Sequence, residues 1–318
     1  MRGEPRAWVL ASSADARRAL RPLLAEHERA RPVRVVTTGG AADPSVLEEH
    51  LEGAAGCLLV GDRRRSPRSA LPGPFLSAPG GGLVPAGWVP DVGEDLTRFA
   101  RAAARVVARQ EEAGPIAVLA QWQHRYLRLA DRMEANLAGT KVPVLRWSAD
   151  RITRDDLAAA LGLGIGLAVY FGHGRPNGWA GYHGLRAHHL AGRDEPMGAV
   201  ISATCRTASR WRTGMSFCER LVLAGSAGAA VGAVVEVEHL ENMRWMLGLA
   251  SALRAGERRI GRLLERAAPP TARAGGAYRI VGDPLAPVAG TPVGTRRARK
   301  VWAPAPDESI EGRLPAFA

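Results

Sequence analysis

Apolar and polar positions follow two rhythms from the start of the chain. AWVLA (7–11), VRVVT (33–37) and AGCLLV (55–60) are short apolar runs of strand type. Between them lie segments with helical spacing: one over 15–29, with Leu20, Leu23 and Leu24 on one face, and a shorter one over 45–51 opened by Pro44-Ser45. A strand–helix–strand–helix–strand order predicts a parallel sheet with helices on its faces. Residues 63–90 break the rhythm. They are rich in Pro, Gly and Arg and have no period, which predicts a mobile surface loop, open to regulation by cleavage. A helix over 95–112 follows, with Leu96, Phe99, Ala103, Val106 and Val107 on one face, and Gly114-Pro115 ends it. The first α/β unit is therefore set at 1–113.

A second alternating series fills 114–290. Strands are predicted over 116–120, 142–146, 166–171, 199–203 and 229–235, and helices over 124–137, 154–161, 214–224, 238–254 and 258–267. Apolar runs without alternation belong to strands buried on both faces of a parallel sheet. Residues 291–318 read as an extension with little structure. The fold class is thus α/β, with mostly parallel sheets, helices on both faces and two α/β subdomains.

Composition narrows the function. With 46% apolar and 23% charged residues, the 318-residue chain is an ordinary globular protein and not a disordered one. The net charge of +12 suggests an acidic partner. The basic residues are scattered arginines with no aromatic-interleaved stripe, so nucleic acid is not read as the main ligand. Three cysteines, Cys57, Cys205 and Cys218, cannot form a disulfide framework, which suggests a reducing compartment. The apolar stretch near the start is only about six residues long, too short for a signal peptide. No run reaches the ~18 apolar residues of a membrane span. The expected location is the cytoplasm.

In an open parallel sheet, ligands bind beyond the carboxyl ends of the strands. Strand 166–171 runs into Gly172-His173-Gly174, and strand 199–203 runs into Thr204-Cys205. If these strands are neighbours, His173 and Cys205 face one crevice, where an imidazole can help a thiol ionise to the nucleophilic thiolate. The amides of Gly174 and Cys205 are then candidate donors to an oxyanion. Cys57 and Cys218 lie within apolar faces and read as small core residues. A Cys205 of that kind, with His173 as a mere turn residue, is the competing view.

Several segments resemble the gingipain family of caspase-like cysteine peptidases. FGHGRPNGW (171–179) is similar to the family's catalytic-histidine segment, and SATCRTASRWRTGMSFCERLVLAG (202–225), with Glu219, to its nucleophile segment. GAAVGAVVE (228–236), YRIVGDPLAPV (278–288) and CLLVGD (57–62) resemble further strands of the family, so the likeness covers about 7–290. It implies a caspase-like fold and a cysteine endopeptidase in which Cys205 is the nucleophile and His173 the general base and acid. It also implies protein or peptide substrates, commonly cut after Arg or Lys. Where the family carries an acid near the histidine, this chain has Gln121, which can orient an imidazole but not neutralise its charge. A regulated cytoplasmic protease of a bacterial defence or signalling pathway fits the resemblance, with an activating protease or regulatory protein as partner. A catalytically dead scaffold is the alternative.

A basic side chain before the cut needs a carboxylate in its pocket. Glu236, Glu238 and Asp131 are the candidates, although Asp131 falls on a helix and also suits a solvated face. Trp179 and Trp211 are candidates for shaping the cleft. His183, His188 and His189 lack neighbouring ligands at metal spacing, so no metal is assigned, and no cofactor is expected.

Overall fold

The computed structural model of the chain describes residues 6–40, 43–62, 71–109, 114–193, 195–267 and 272–288. The strands are β1 (Ala7–Ser12), β2 (Val33–Thr37), β3 (Ala54–Gly61), β4 (Phe75–Ser77), β5 (Leu83–Pro90), β6 (Ile116–Ala120), β7 (Val144–Ser148), β8 (Leu167–Phe171), β9 (Gly174–Arg175), β10 (Gly178–Trp179), β11 (Met197–Ala203), β12 (Ala227–Ala233) and β13 (Tyr278–Gly282). The helices are α1 (Ala14–Ala19), α2 (Arg21–Ala30), α3 (Glu94–Arg109), α4 (His124–Leu137), α5 (Arg154–Leu161), α6 (Gly181–Gly184), α7 (Ala187–Leu190), α8 (Phe217–Leu223), α9 (His239–Arg254), α10 (Ile260–Arg266) and α11 (Ala272–Ala277), with a 3-10 helix at Pro44–His50.

One sheet carries the molecule, in the order β2-β1-β3-β5-β13-β12-β11-β8-β6-β7, with β4 added to β5. All pairings along this path are parallel except β12 with β13. The sheet is therefore two parallel halves of opposite direction. Each half is wound outward from its first strand, in the order 2-1-3-4 of doubly wound folds. β13, late in the chain, lies between them and joins β5 to β12.

Burial explains why the second half lacks sequence alternation. Along β8, Leu167, Val169 and Phe171 enter a core with α4, α9 and α10, while Ala168 and Tyr170 enter another with α3, α5 and α8. Both sides of a strand are covered, so period two in polarity disappears although period two in direction remains.

The expectation of a loop over 63–90 is corrected. β4 pairs β5 through Phe75↔Pro85 to Ser77↔Leu83, and β5 is buried over 84–90 between β3 and β13. Two prolines and Gly87 hid it. Pro85 and Pro90 stand near its two ends, where a missing donor is tolerated. Gly87 is required: a Cβ there would lie 2.1 Å from the Gly282 carbonyl oxygen, so the β5–β13 approach excludes a side chain. Residues 63–70 lie outside the described residues, as does the predicted extension at 291–318. The helix expected over 15–29 is two helices, broken at Leu20, because Pro22 opens α2 and cannot continue a hydrogen-bonded turn. Among the described residues no helix is long and apolar enough to cross a membrane.

Candidate active site

Four parallel strands, β6, β8, β11 and β12, end at the same edge of the sheet. β8 pairs β11 in register through Ala203↔Phe171, and β6 pairs β8 through Ala120↔Phe171. The chain therefore emits Gln121, His173 and Cys205 side by side, each one or two residues past the last pair. His173 and Cys205 line a common cleft of about 610 Å³, with Glu236 and Val237 from beyond β12 on its far wall.

The backbone of His173 is held at both of its polar groups. Its N–H donates to Gln121 Oε1 at 2.8 Å. Its carbonyl accepts from the Tyr170 hydroxyl at 3.2 Å and from the Ala180 N–H at 2.9 Å. Gln121 is itself anchored, its N–H donating to the Phe171 carbonyl at 2.9 Å. The side chain of Gln121 thus fixes the main chain of the Gly-His-Gly turn and not the imidazole, which corrects its assignment as a ring orienter. A glutamine suits that task because its carbonyl accepts from an N–H without bringing a charge.

The imidazole ring meets a different partner. Arg125, in the first turn of α4, donates Nη2–H to His173 Nε2 at 2.9 Å. A guanidinium only donates, so Nε2 is the acceptor of a neutral ring whose proton is on Nδ1. The ring stands edge-on to Tyr126, with centroids 5.4 Å apart. Burial, and then the positive charges of Arg125 and Arg175, hold this histidine below the ordinary imidazole range.

Cys205 is half-buried, and its Sγ–H makes a long contact of 3.9 Å with the Val237 carbonyl. Burial pushes the Cys57 and Cys218 thiols up to about 12, which keeps both protonated and inert. Directly after Cys205, Arg206 has φ 59°. A left-handed residue with a side chain costs on the order of 1 kcal/mol and recurs at functional turns. The turn is held because Arg206 N–H donates to the Val235 carbonyl at 3.2 Å and Ala208 N–H to the Ala233 carbonyl at 3.0 Å.

Gly174 packs against this turn. A Cβ on it would come 2.5 Å from the Cys205 carbonyl oxygen and 2.6 Å from Thr204 Cγ2, so the histidine and cysteine loops close on each other only with glycine here. Gly174 pairs with Trp179 in the β9–β10 hairpin, and the neighbouring Ala180 N–H to His173 carbonyl bond makes Gly174–Trp179 the non-hydrogen-bonded pair. The Gly174 N–H consequently points away from its partner strand.

Other expected residues divide. Trp211 is 45% exposed and lines the cleft, with the Arg206 and Arg212 guanidinium groups over its ring. Trp179 is not a cleft residue: it is buried, stacked on Tyr170 at 4.3 Å, and donates Nε1–H to Ser202 Oγ at 2.8 Å. Its position beside a hairpin glycine gave no sign of this. Asp131 is also removed from the site. It is exposed on α4, where Arg146 holds it at 3.1 Å, and it lines no part of the cleft. Glu236 lies on the cleft wall in an ion pair with Arg206 at 3.0 Å. Glu236 and Val237 also wall a small hollow next to the cleft, completed by Glu238, Glu241, Asn242, Trp245 and Tyr278. Glu241 and Arg125 were missed in the sequence, although each stands in the first turn of a helix that follows a strand end, the place where such side chains reach a rim. Among the described residues there is no group of three or more His, Cys, Asp or Glu side chains suited to a metal ion.

The fold and this strand-end cleft define a caspase-like α/β peptidase architecture. The model of Peptidase family C25 matches residues 92–288, more than half of the chain. The chain belongs to that family, the gingipain family of cysteine peptidases, whose substrates are proteins. Among solved structures it resembles the Arg-specific cysteine proteinase gingipain R, with a TM-score of 0.68 and 13% identity over 91% of this chain and 79% of that one. The complex of Porphyromonas gingivalis RgpB pro- and mature domains matches with a TM-score of 0.68 and 14% identity, covering 89% of this chain and 79% of that one. No curated protein matches in sequence.

Proposed function

We propose that this chain is an endopeptidase that cuts through a Cys205–His173 pair, after a basic residue, within a catalytic unit at 114–290 that is carried by the 1–113 half. The observation that supports it most is the Ala203↔Phe171 register, two residues upstream of both groups. Once Arg125 gives up its hydrogen bond to Nε2, neutral His173 takes the Cys205 proton on that nitrogen, and the thiolate attacks the peptide carbonyl. The N–H groups of Gly174 and Cys205 bind the developing oxyanion. His173 then returns the proton to the leaving amine, and water releases the acyl group from sulfur by the reverse sequence. The depressed imidazole favours its neutral, proton-accepting form. The acid limb of kcat/KM is accordingly expected below the ordinary imidazole value of 6.5. Removing a cation stabilises imidazolium, so Arg125→Met should move that limb upward. An unmoved limb in the pH profile would remove Arg125 from the account.

The carboxylates of the hollow beside Cys205 support the basic preference; the hollow itself, about 30 Å³, must widen to admit a long basic side chain. Glu236, Glu238 and Glu241 all line it, and Trp245 and Tyr278 close its base. Against a peptide library, cleavage is expected after Arg or Lys. Glu241→Gln should then lower kcat/KM for an Arg substrate by about 10–100-fold, the worth of one hydrogen bond to a charged group. Equal loss on a substrate with a neutral residue at that position would contradict the pocket assignment.

A regulated cytoplasmic protease in a bacterial defence or signalling pathway is the physiological setting we favour. Three unpaired cysteines support a reducing compartment, which cell fractionation tests, and the pathway rests on the family resemblance. One observation favours a non-catalytic scaffold instead: the imidazole has a guanidinium where a peptidase profits from a carboxylate. A thiol-reactive peptide electrophile separates the two. A peptidase labels Cys205 at a rate that falls when His173 is replaced, whereas a scaffold labels at the same rate in both.

A further inference from the structure

The cleft continues past Cys205 into two more hollows. It shares a wall at Asn177, Arg212 and Thr213 with a hollow of about 580 Å³. That one meets, at Ala224, a groove of about 1020 Å³ bounded by α3 and by residues 192–193 and 224–225. Positive charge follows the whole path. Arg175, Arg206 and Arg212 line the cleft, and Arg186 and Arg220 the middle hollow. Arg98, Arg101 and Arg105 form a stripe along α3, facing Arg193 across the far groove. The stripe follows from helical spacing, since Phe99, Ala103 and Val107 fill the buried face of the same helix. Among the described residues, the carboxylates in these walls are Glu236, paired with Arg206, and Glu94. Asp95, just outside, pairs with Arg98 at 2.8 Å.

We infer that this basic path seats an acidic stretch of the substrate polypeptide running on from the bond to be cut. The inference rests on the peptidase reading and adds to it a second determinant of substrate choice, remote from the scissile bond. Guanidinium groups suit the occupant because they hold carboxylates in bidentate pairs. Continuity with the cleft favours a polypeptide, which already enters there. A single-stranded nucleic acid needs aromatic platforms for its bases. Among the described residues, and apart from histidines, Trp211 is the one aromatic side chain along the three walls, and Arg206 and Arg212 already lie over it, at 4.8 and 4.3 Å.

The test compares a short Arg-containing reporter peptide with the same reporter extended by eight Asp/Glu residues, on one flank or on the other, and with Ser/Gln extensions. At low salt, one acidic flank should raise kcat/KM about tenfold over the Ser/Gln control, with the gain lost at high salt. Arg101→Glu with Arg193→Glu, both exposed and far from Cys205, should abolish the gain and leave the short reporter unchanged. Binding of the extended peptide to the Cys205→Ala protein, followed by fluorescence anisotropy, should weaken about tenfold with the same pair of substitutions. If the short reporter is cut but neither acidic flank helps, the inference fails and the peptidase reading stands. If nothing is cut and Cys205 shows no His173-dependent labelling, that reading fails, and the anisotropy result alone decides the path. A single-stranded RNA that displaces the acidic peptide and binds more tightly would overturn the choice of occupant.

Discussion

Cys205→Ala is expected to lower peptide cleavage by about 10⁴-fold or more, the scale seen when a covalent nucleophile is removed from a hydrolase. Loss of this size separates a nucleophile from a residue that only shapes the cleft. The fold should be untouched. Cys205 is half-buried, and the hydrogen bond of its sulfur to a described residue is the long one to the Val237 carbonyl at 3.9 Å, so truncation strands no polar group that depends on a strong bond to it. Far-UV circular dichroism and the melting temperature should match the parent. Cys218→Ala provides the contrast. That thiol is buried in the α8 core and held protonated, so its removal should cost stability and leave the chemistry intact. Undiminished cleavage by the Cys205→Ala protein would end the mechanism.

The second large effect is structural. Glu219→Ala should destabilise the protein by roughly 3–5 kcal/mol, because removing one member of a buried ion pair strands the other. Glu219 is 2% and Arg210 9% exposed. Arg210 Nε donates to Glu219 Oε1 at 2.9 Å, and Trp88 Nε1 in β5 donates to the same oxygen at 3.3 Å. The other oxygen accepts from the Ser216 amide at 2.8 Å and its hydroxyl at 2.9 Å, and the Ser216 hydroxyl accepts from the Glu219 amide, closing the N-terminal cap of α8. One carboxylate thus ties the segment after Cys205 to α8 and to the first half of the sheet. The melting temperature should fall by about 10 °C on the usual scaling. Joining Arg210→Met to Glu219→Ala should recover part of the loss, since no buried guanidinium then lacks the Glu219 carboxylate. Strict additivity of the two substitutions would show that they do not act as a pair.

Much of the scaffold was legible before folding because its signals are local. Dense apolar runs at 7–11, 55–60, 116–120, 166–171 and 199–203 became strands, and the helices at 124–137 and 154–161 appear with the predicted limits. The strand-end placement of Gly-His-Gly and Thr-Cys could be read for the same reason: it needs only a strand followed by its next two residues. Glu219 was visible as the acid of the segment that resembles the family's nucleophile segment, but not as the cap of α8 or the partner of Arg210 and Trp88.

What the chain alone determined is the alternation of strands and helices and which side chains stand at strand ends. That information is carried by periodicity within some ten residues, and burial on both faces is what writes it. What only tertiary structure decided is which ends are neighbours and what each polar group meets. β5 enters the sheet despite Pro85, Gly87 and Pro90, because β13, nearly two hundred residues later, leaves room there only for a glycine. Trp179 becomes core and Asp131 surface, Gln121 grips a backbone amide, and Arg125 takes the imidazole nitrogen. Those outcomes depend on pairing between distant segments, and no local pattern encodes it.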